Sequence, residues 1–226
     1  MLRAIIFDFD GVIANTEPLH FRGFRDVLAE EEVTLSETEY YSRYLGYDDV
    51  GAFRAIGADH GRSWAIDHVA ELVTKKAARV EALERDVSVL FPGAEAAIRR
   101  AANAVPLAIA SGALGAEIRR VLDRADLTRY FAAIVAAEDA PASKPAPDPY
   151  RRAVTRLADA IGGALRAVDC VAIDDSRWGL ESARAAGLRT VAIASSYDPS
   201  ELGDADLVLP SIDALDVDLL RAIFGG

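Results

Sequence analysis

Cysteine is almost absent. Cys170 is the one thiol in 226 residues, so no disulfide can close within the chain and no cysteine-based metal site can be built. It lies in an apolar run and is read as a core thiol. Lysine is nearly as scarce, at Lys75, Lys76 and Lys144 only, and the formal net charge is −11. That balance argues against nucleic acid as a partner, because phosphate backbones are bound through clustered Lys and Arg. Long apolar runs are also missing. None approaches the ~18 residues of a membrane span, and the first residues lack the basic, apolar and small-residue succession of a leader. Internal repeats and low-complexity tracts are not evident. The expectation is a cytoplasmic protein with no membrane or nucleic-acid partner, monomeric by default.

What is present is enough for a substantial core, with 51% hydrophobic and 27% charged residues; the length suits one large domain or a core with a smaller insert. The chain opens on Ala4-Ile5-Ile6-Phe7-Asp8-Phe9-Asp10-Gly11-Val12, a β-forming run that ends in two carboxylates and a glycine. Residues two apart in a strand point the same way, so Asp8 and Asp10 can converge at its C-terminal end. Thr16-Glu17-Pro18 then suits a helix start, with a capping hydroxyl and a proline in the first turn. Phe21, Phe24 and Leu28 follow at helical spacing.

Up to about Asp86 no strand is expected. Ser36 to Leu45, Asp49 to Asp59 and Trp64 to Leu83 read as helices, broken near Gly46, Gly57 and Gly61. Phe91-Pro92-Gly93 makes a turn. From there strand-like runs at 107–110, 134–136, 168–173, 190–194 and 207–209 alternate with helical stripes, one through Ile118, Val121, Leu122 and Ala125, another through Tyr150, Ala153, Val154, Leu157 and Ile161. This is the pattern of an α/β fold, a Rossmann-like parallel sheet covered on both faces. The helical block at 15–87 interrupts it as an inserted all-helical cap domain, leaving a discontinuous core of 1–14 and 88–226. Hinges are expected near Asn15 and near Asp86 to Leu90.

In such a sheet, ligands bind beyond the carboxyl ends of the strands. Asp8 and Asp10 end the first run, Ser111 and Gly112 follow 107–110, and Asp174-Asp175-Ser176 follow 168–173. Lys144 lies in Ser143-Lys144-Pro145-Ala146-Pro147-Asp148-Pro149, whose prolines are expected to hold it extended before a helix. Singly these are ordinary caps, turns and surface charges. Together they fit phosphoryl transfer. Asp8, Asp10, Asp174 and Asp175 offer hard oxygen ligands that repel one another unless a cation lies between them, and Mg²⁺ is the natural choice. The cation would also let an anionic substrate approach an acidic chain. Ser111 and the Gly112 backbone can donate to phosphate oxygens, and Lys144 adds a point charge. A carboxylate needs no base to attack, so Asp8 can be the nucleophile and Asp10 the acid and base.

Asp8-Phe9-Asp10-Gly11-Val12, Ser111-Gly112, Lys144-Pro145-Ala146-Pro147-Asp148-Pro149 and the stretch from Asp174-Asp175-Ser176 to Gly187 resemble, over essentially the whole length, the haloacid dehalogenase superfamily. The branch is that of β-phosphoglucomutase and phosphoglycolate phosphatase, with a helical cap after the first strand. The resemblance implies Mg²⁺, a phosphoaspartate at Asp8, acid–base work by Asp10, whose backbone oxygen also binds metal, and phosphate binding by Ser111, Gly112 and Lys144. Dehalogenases of the superfamily lack an acid matching Asp10, which argues against carbon–halogen cleavage. Thr16 and His20 match cap residues that position that acid in the mutase; His20 also reads as a polar neighbour of the Phe21 stripe. Where the mutase presents a lysine and an arginine, this chain has Leu45-Gly46-Tyr47-Asp48-Asp49, so a second phosphate grip is missing unless Arg43 or Arg54 supplies it. The expectation is a phosphatase of a small phosphorylated metabolite, sugar phosphate-like; the alternatives are a hexose-phosphate mutase and a catalytically silent phosphate-binding protein.

Overall fold

A computed structural model describes residues 1–45, 47–85 and 87–224; the breaks expected at Gly46 and Asp86 lie outside the described residues. In chain order the elements are β1 (Ala4–Phe7), α1 (Glu17–Glu30), α2 (Glu37–Glu39), α3 (Asp49–Asp59), α4 (Ile66–Glu84), α5 (Ala94–Ala102), β2 (Leu107–Ala110), α6 (Gly115–Arg124), β3 (Phe131–Val135), α7 (Asp148–Ile161), β4 (Cys170–Asp174), α8 (Arg177–Ala185), β5 (Arg189–Ile193), β6 (Leu207–Leu209) and α9 (Val217–Phe224). They divide into two compact units, Met1–Asn15 with Leu90–Gly226, and Thr16–Val89. Among the described residues no helix is long and apolar enough to cross a membrane.

The first unit holds a six-stranded sheet of order β3-β2-β1-β4-β5-β6, parallel at every pairing. The chain steps outward from β1 to β2 and β3, then returns to lay β4, β5 and β6 on its other side. The order therefore reverses between β1 and β4, and a crevice opens beyond their carboxyl ends. Ile5 pairs with Val171 and Phe7 with Ile173 in this central register. All four residues of β1 and all five of β4 are buried, as near-continuous apolar strands covered on both faces require.

Alternation decides what each strand offers. Ala4 and Ile6 of β1, with Cys170 and Ala172 of β4, face a cluster that includes Tyr150, Ala153, Val154 and Leu157 of α7. One period further on, the same face carries Asp8 and Asp174. Asp175 follows on the opposite side.

The second unit packs α1, α3 and α4 around Phe24, Val27, Leu28, Phe53, Ile56, Val69 and Leu72. Here two expectations are corrected. Thr16 does precede α1, with Pro18 in its first turn, but its hydroxyl makes no capping bond: its backbone is already helical (φ −86°, ψ −20°) rather than extended, and capping geometry needs the latter. The expected helix over 36–45 is α2 followed by a π-helical turn, Tyr40–Tyr44, whose Tyr44 hydroxyl donates to Asp59 Oδ2 at 2.7 Å. Lys76 is almost wholly buried; its ammonium donates to Asp49 Oδ1 and His20 Nδ1, both at 2.6 Å, and lies 4.7 Å from the centre of the Phe24 ring. An ammonium can only donate, so Nδ1 of His20 accepts and its proton resides on Nε2.

Candidate active site

The site begins where β1 runs out. Asp8 N donates to Ile173 O at 2.8 Å, which keeps β1 and β4 in step to the last residue, and the Asp8 carboxylate accepts from Phe9 N at 2.7 Å. The chain then turns at Gly11, with φ at +75°, and Gly11 N donates to Ala14 O at 2.9 Å. A side chain at Gly11 would be strained and would collide with the Asp175 carboxylate, so glycine here lets the loop and the acid approach. The Ser195 hydroxyl, just past β5, donates to Gly11 O. Phe91 N donates to Ile13 O at 3.0 Å, tying the returning chain to the outgoing one.

Lys144 joins the two strands. It precedes α7 in a turn, not the extended segment expected, with a cis bond to Pro145 and Ala146 N donating to Ser143 O at 3.0 Å. Its ammonium lies 3.0 Å from Asp8 Oδ1 and 2.7 Å from Asp174 Oδ2. The same Oδ2 accepts from the buried Tyr150 hydroxyl at 2.7 Å. On the other oxygen, Asp174 Oδ1 accepts from Ser176 N at 3.0 Å and Ser176 Oγ at 2.8 Å; Ser176 Oγ in turn accepts from Gly179 N at 3.0 Å, capping α8. Asp175 hydrogen-bonds to Ser196.

One carboxylate oxygen from each of Asp8, Asp174 and Asp175 lies within 4.8 Å of the others, and all three residues are buried. Three buried acids against one ammonium leave the group short of positive charge. Burial, opposed by Lys144 and aided by Asp174, raises the Asp8 carboxyl to about 6. Burial with the charges of Asp174 and Asp8 pushes Asp175 well above the usual carboxylate range. For Lys144 burial works against the charge, but attraction to Asp174 and Asp8 outweighs it and its pKa is raised. Such a donor set fits a hard divalent cation, which would reverse the penalty on both acids.

The remaining residues separate into those at the crevice and those elsewhere. Asp10 sits in the loop after β1, half-buried, bridged to Ala14. Ser111 is buried directly after β2; its hydroxyl accepts from Ala113 N at 3.0 Å. Gly112 is exposed, with open space where a side chain would stand. Thr16 and His20 lie in the helical unit, His20 bonded to Lys76. Arg43 is engaged there by Asp59 at 2.6 Å and Glu39 at 3.6 Å. Cys170 is buried, and burial pushes its thiol up to about 12, in keeping with an inert core residue. Sequence reasoning missed Tyr150, which periodicity assigns to the core, and Ser195 and Ser196, for which no local pattern gives a signal.

A strand-end carboxylate, a lysine between two strands and a pair of acids where β4 ends are the layout of a haloacid dehalogenase-like hydrolase. The profile of that family, described as haloacid dehalogenase-like hydrolase, matches residues 5–193, and the chain belongs to it. It is 34% identical over 224 residues to the CbbY protein of Rhodobacter capsulatus, covering 94% of this chain and 95% of that one. It is 29% identical to the fructose-1-phosphate phosphatase YqaB of Escherichia coli, covering 83% and 94%. The crystal structure of CbbY from Rhodobacter sphaeroides in complex with phosphate superposes with a TM-score of 0.81 at 28% identity, covering 95% and 96% of the two chains.

Proposed function

We propose that the chain is a Mg²⁺-dependent phosphatase that hydrolyses a small, sugar phosphate-like metabolite through an aspartyl-phosphate at Asp8. The observation that carries this reading is the buried Asp8 carboxylate, 3.0 Å from Lys144 and grouped with Asp174 and Asp175 at the reversal of strand order. The named phosphatases among the relatives support the reaction class.

Asp8, Asp175 and the Asp10 backbone carbonyl would hold the metal, whose bound charge draws the phosphoryl group to an acidic pocket. Asp174 is proposed as an anchor, since its two oxygens already accept four hydrogen bonds. Asp8 attacks phosphorus, and the alcohol departs with a proton from Asp10. Asp10 then takes a proton from the water that cleaves the acyl phosphate, returning Asp8 as a carboxylate. Ser111, the Gly112 backbone and Lys144 hold the phosphoryl oxygens as charge gathers on them. The helical unit is the cap, with Thr16 and His20 as its candidate substrate residues.

A mutase must also grip a second phosphate. Arg43, one of the two candidates for that part, is already paired with Asp59 and Glu39, which favours hydrolysis. Turnover of p-nitrophenyl phosphate in Mg²⁺ should vanish in Asp8→Asn. Survival of turnover in that variant would refute the nucleophile. Isomerised sugar phosphate exceeding released phosphate, in a reaction that depends on a catalytic bisphosphate, would establish the mutase instead.

A further inference from the structure

Tyr150 is fully buried among alanines, Val154 and Leu157. A phenylalanine there would fill the same space without a hydroxyl to be desolvated, a change that leaves most cores unharmed. The hydroxyl fills the fourth acceptor site of an Asp174 carboxylate that already has the Lys144 ammonium on Oδ2 and both the Ser176 amide and hydroxyl on Oδ1. What it does is share Oδ2 with Lys144, each donor at 2.7 Å.

We propose that Tyr150 is a positioning residue: by occupying part of Asp174 Oδ2 it keeps Lys144 divided between Asp174 and the nucleophile Asp8. A carboxylate oxygen that accepts two donors gives each less than it would give one. Remove the hydroxyl and Lys144 has Oδ2 to itself; its bond to Asp174 tightens and its 3.0 Å contact with Asp8 Oδ1 lengthens. The Tyr150 ring supplies the second constraint, lying 5.0 Å from the ammonium and closing the space beneath it. Phenylalanine keeps that ring, so Tyr150→Phe isolates the hydroxyl.

This inference rests on the phosphatase reading and on Lys144 holding the transferred phosphoryl group. In Tyr150→Phe, kcat on p-nitrophenyl phosphate should fall roughly 10-fold to 100-fold, the scale of a displaced catalytic group. Inorganic phosphate, titrated calorimetrically, should bind about tenfold more weakly, one lost charge-assisted contact. In a Lys144→Met background the same substitution should change neither quantity by more than about twofold, since a residue acting only through Lys144 has nothing left to position. A purely structural tyrosine would lower both backgrounds alike. The proposal fails if Tyr150→Phe keeps wild-type kcat and phosphate affinity, if its effect persists without Lys144, or if circular dichroism shows the variant unfolded. Loss of turnover in Asp8→Asn tests the nucleophile separately, and phosphate binding reads Tyr150 even in a protein that turns nothing over.

Discussion

Two of the three lysines are enclosed, Lys76 buried in the helical unit and Lys144, its side chain 13% exposed, in the sheet unit, and they are held differently. Lys76 sits among helices with one carboxylate, Asp49, and a neutral acceptor on His20. One carboxylate is bonded to it directly, with Glu17 near enough to feel its charge. Lys144 faces two carboxylates directly and a third, Asp175, within the same group. A matched buried pair is a local structural unit, whereas an acid-rich cluster is costly on its own and is completed by something the protein binds. On the proposed function, the difference separates a lysine that organises a helix bundle from one that serves chemistry.

The comparison breaks if the two lysines respond alike to the same change. Lys144→Met should lower turnover of an aryl phosphate by about 100-fold to 1,000-fold, the range for removing one preorganised donor to the reacting group. Its folded content, followed by circular dichroism in Mg²⁺, should persist. Lys76→Met should cost about 1–3 kcal/mol in urea unfolding, less than a fully buried pair because the Asp49 side chain is 31% exposed and can rehydrate. A Lys76→Met protein with wild-type stability and Lys144-like loss of turnover would overturn the distinction.

Much of this was legible in the sequence, and the exceptions have physical causes. The runs 107–110 and 207–209 coincide with β2 and β6 because their apolar residues have polar or turn-forming neighbours. β3 begins three residues before the expected 134, at Phe131, since Ala132 and Ala133 carry no strand preference and the strand is set by pairing with β2. Ile161 continues the α7 stripe in sequence but is 36% exposed; it is the last helical residue before Gly162 turns left-handed. At the site, Asp8, Asp174 and Asp175 stood out because polar residues at buried strand ends are conspicuous, and Lys144 because of the proline-rich segment around it. Tyr150 did not, since an aromatic residue on a helical stripe has the same pattern whether its hydroxyl matters or not. Lys76 was passed over for the opposite reason: a lysine on a helix is ordinarily solvated, and only packing shows it enclosed.

A smaller effect follows from protonation. Asp8 binds a proton more tightly folded, at about 6, than its ordinary value of 3.8. Over that interval the folded state holds more protons than the unfolded one, so the stability due to this group is greatest at low pH and is lost as pH rises through about 6. Other acids shift too, some downward, such as Asp139 beside Arg156, so the whole-protein curve mixes signs. The difference between wild type and Asp8→Asn reports this group together with its upward push on Asp175, which acts in the same direction. In metal-free buffer, wild type should lose stability relative to Asp8→Asn between pH 4 and pH 7, measured by urea midpoints. Saturating Mg²⁺ should diminish the loss, because the ion stabilises the ionised form. A difference that is flat with pH would mean that Asp8 is not under this strain and that the acid-rich cluster is no less balanced than the pair in the helical unit.

The finest distinction concerns Asp174 itself. Ser176 binds Asp174 Oδ1 through both its amide and its hydroxyl, while that hydroxyl accepts from Gly179 N as the cap of α8. Ser176→Ala removes the cap and one of two donors to Oδ1, while the backbone amide remains. The cost should be about 1 kcal/mol in unfolding free energy, the usual worth of a serine cap, with turnover within about threefold of wild type, since Lys144 and Tyr150 still hold Oδ2. A loss of turnover as large as that expected for Lys144→Met would show that Oδ1 also steers the lysine. The anchor would then be a single rigid unit running from α8 to Asp8, with no counterpart in the Lys76–Asp49 pair.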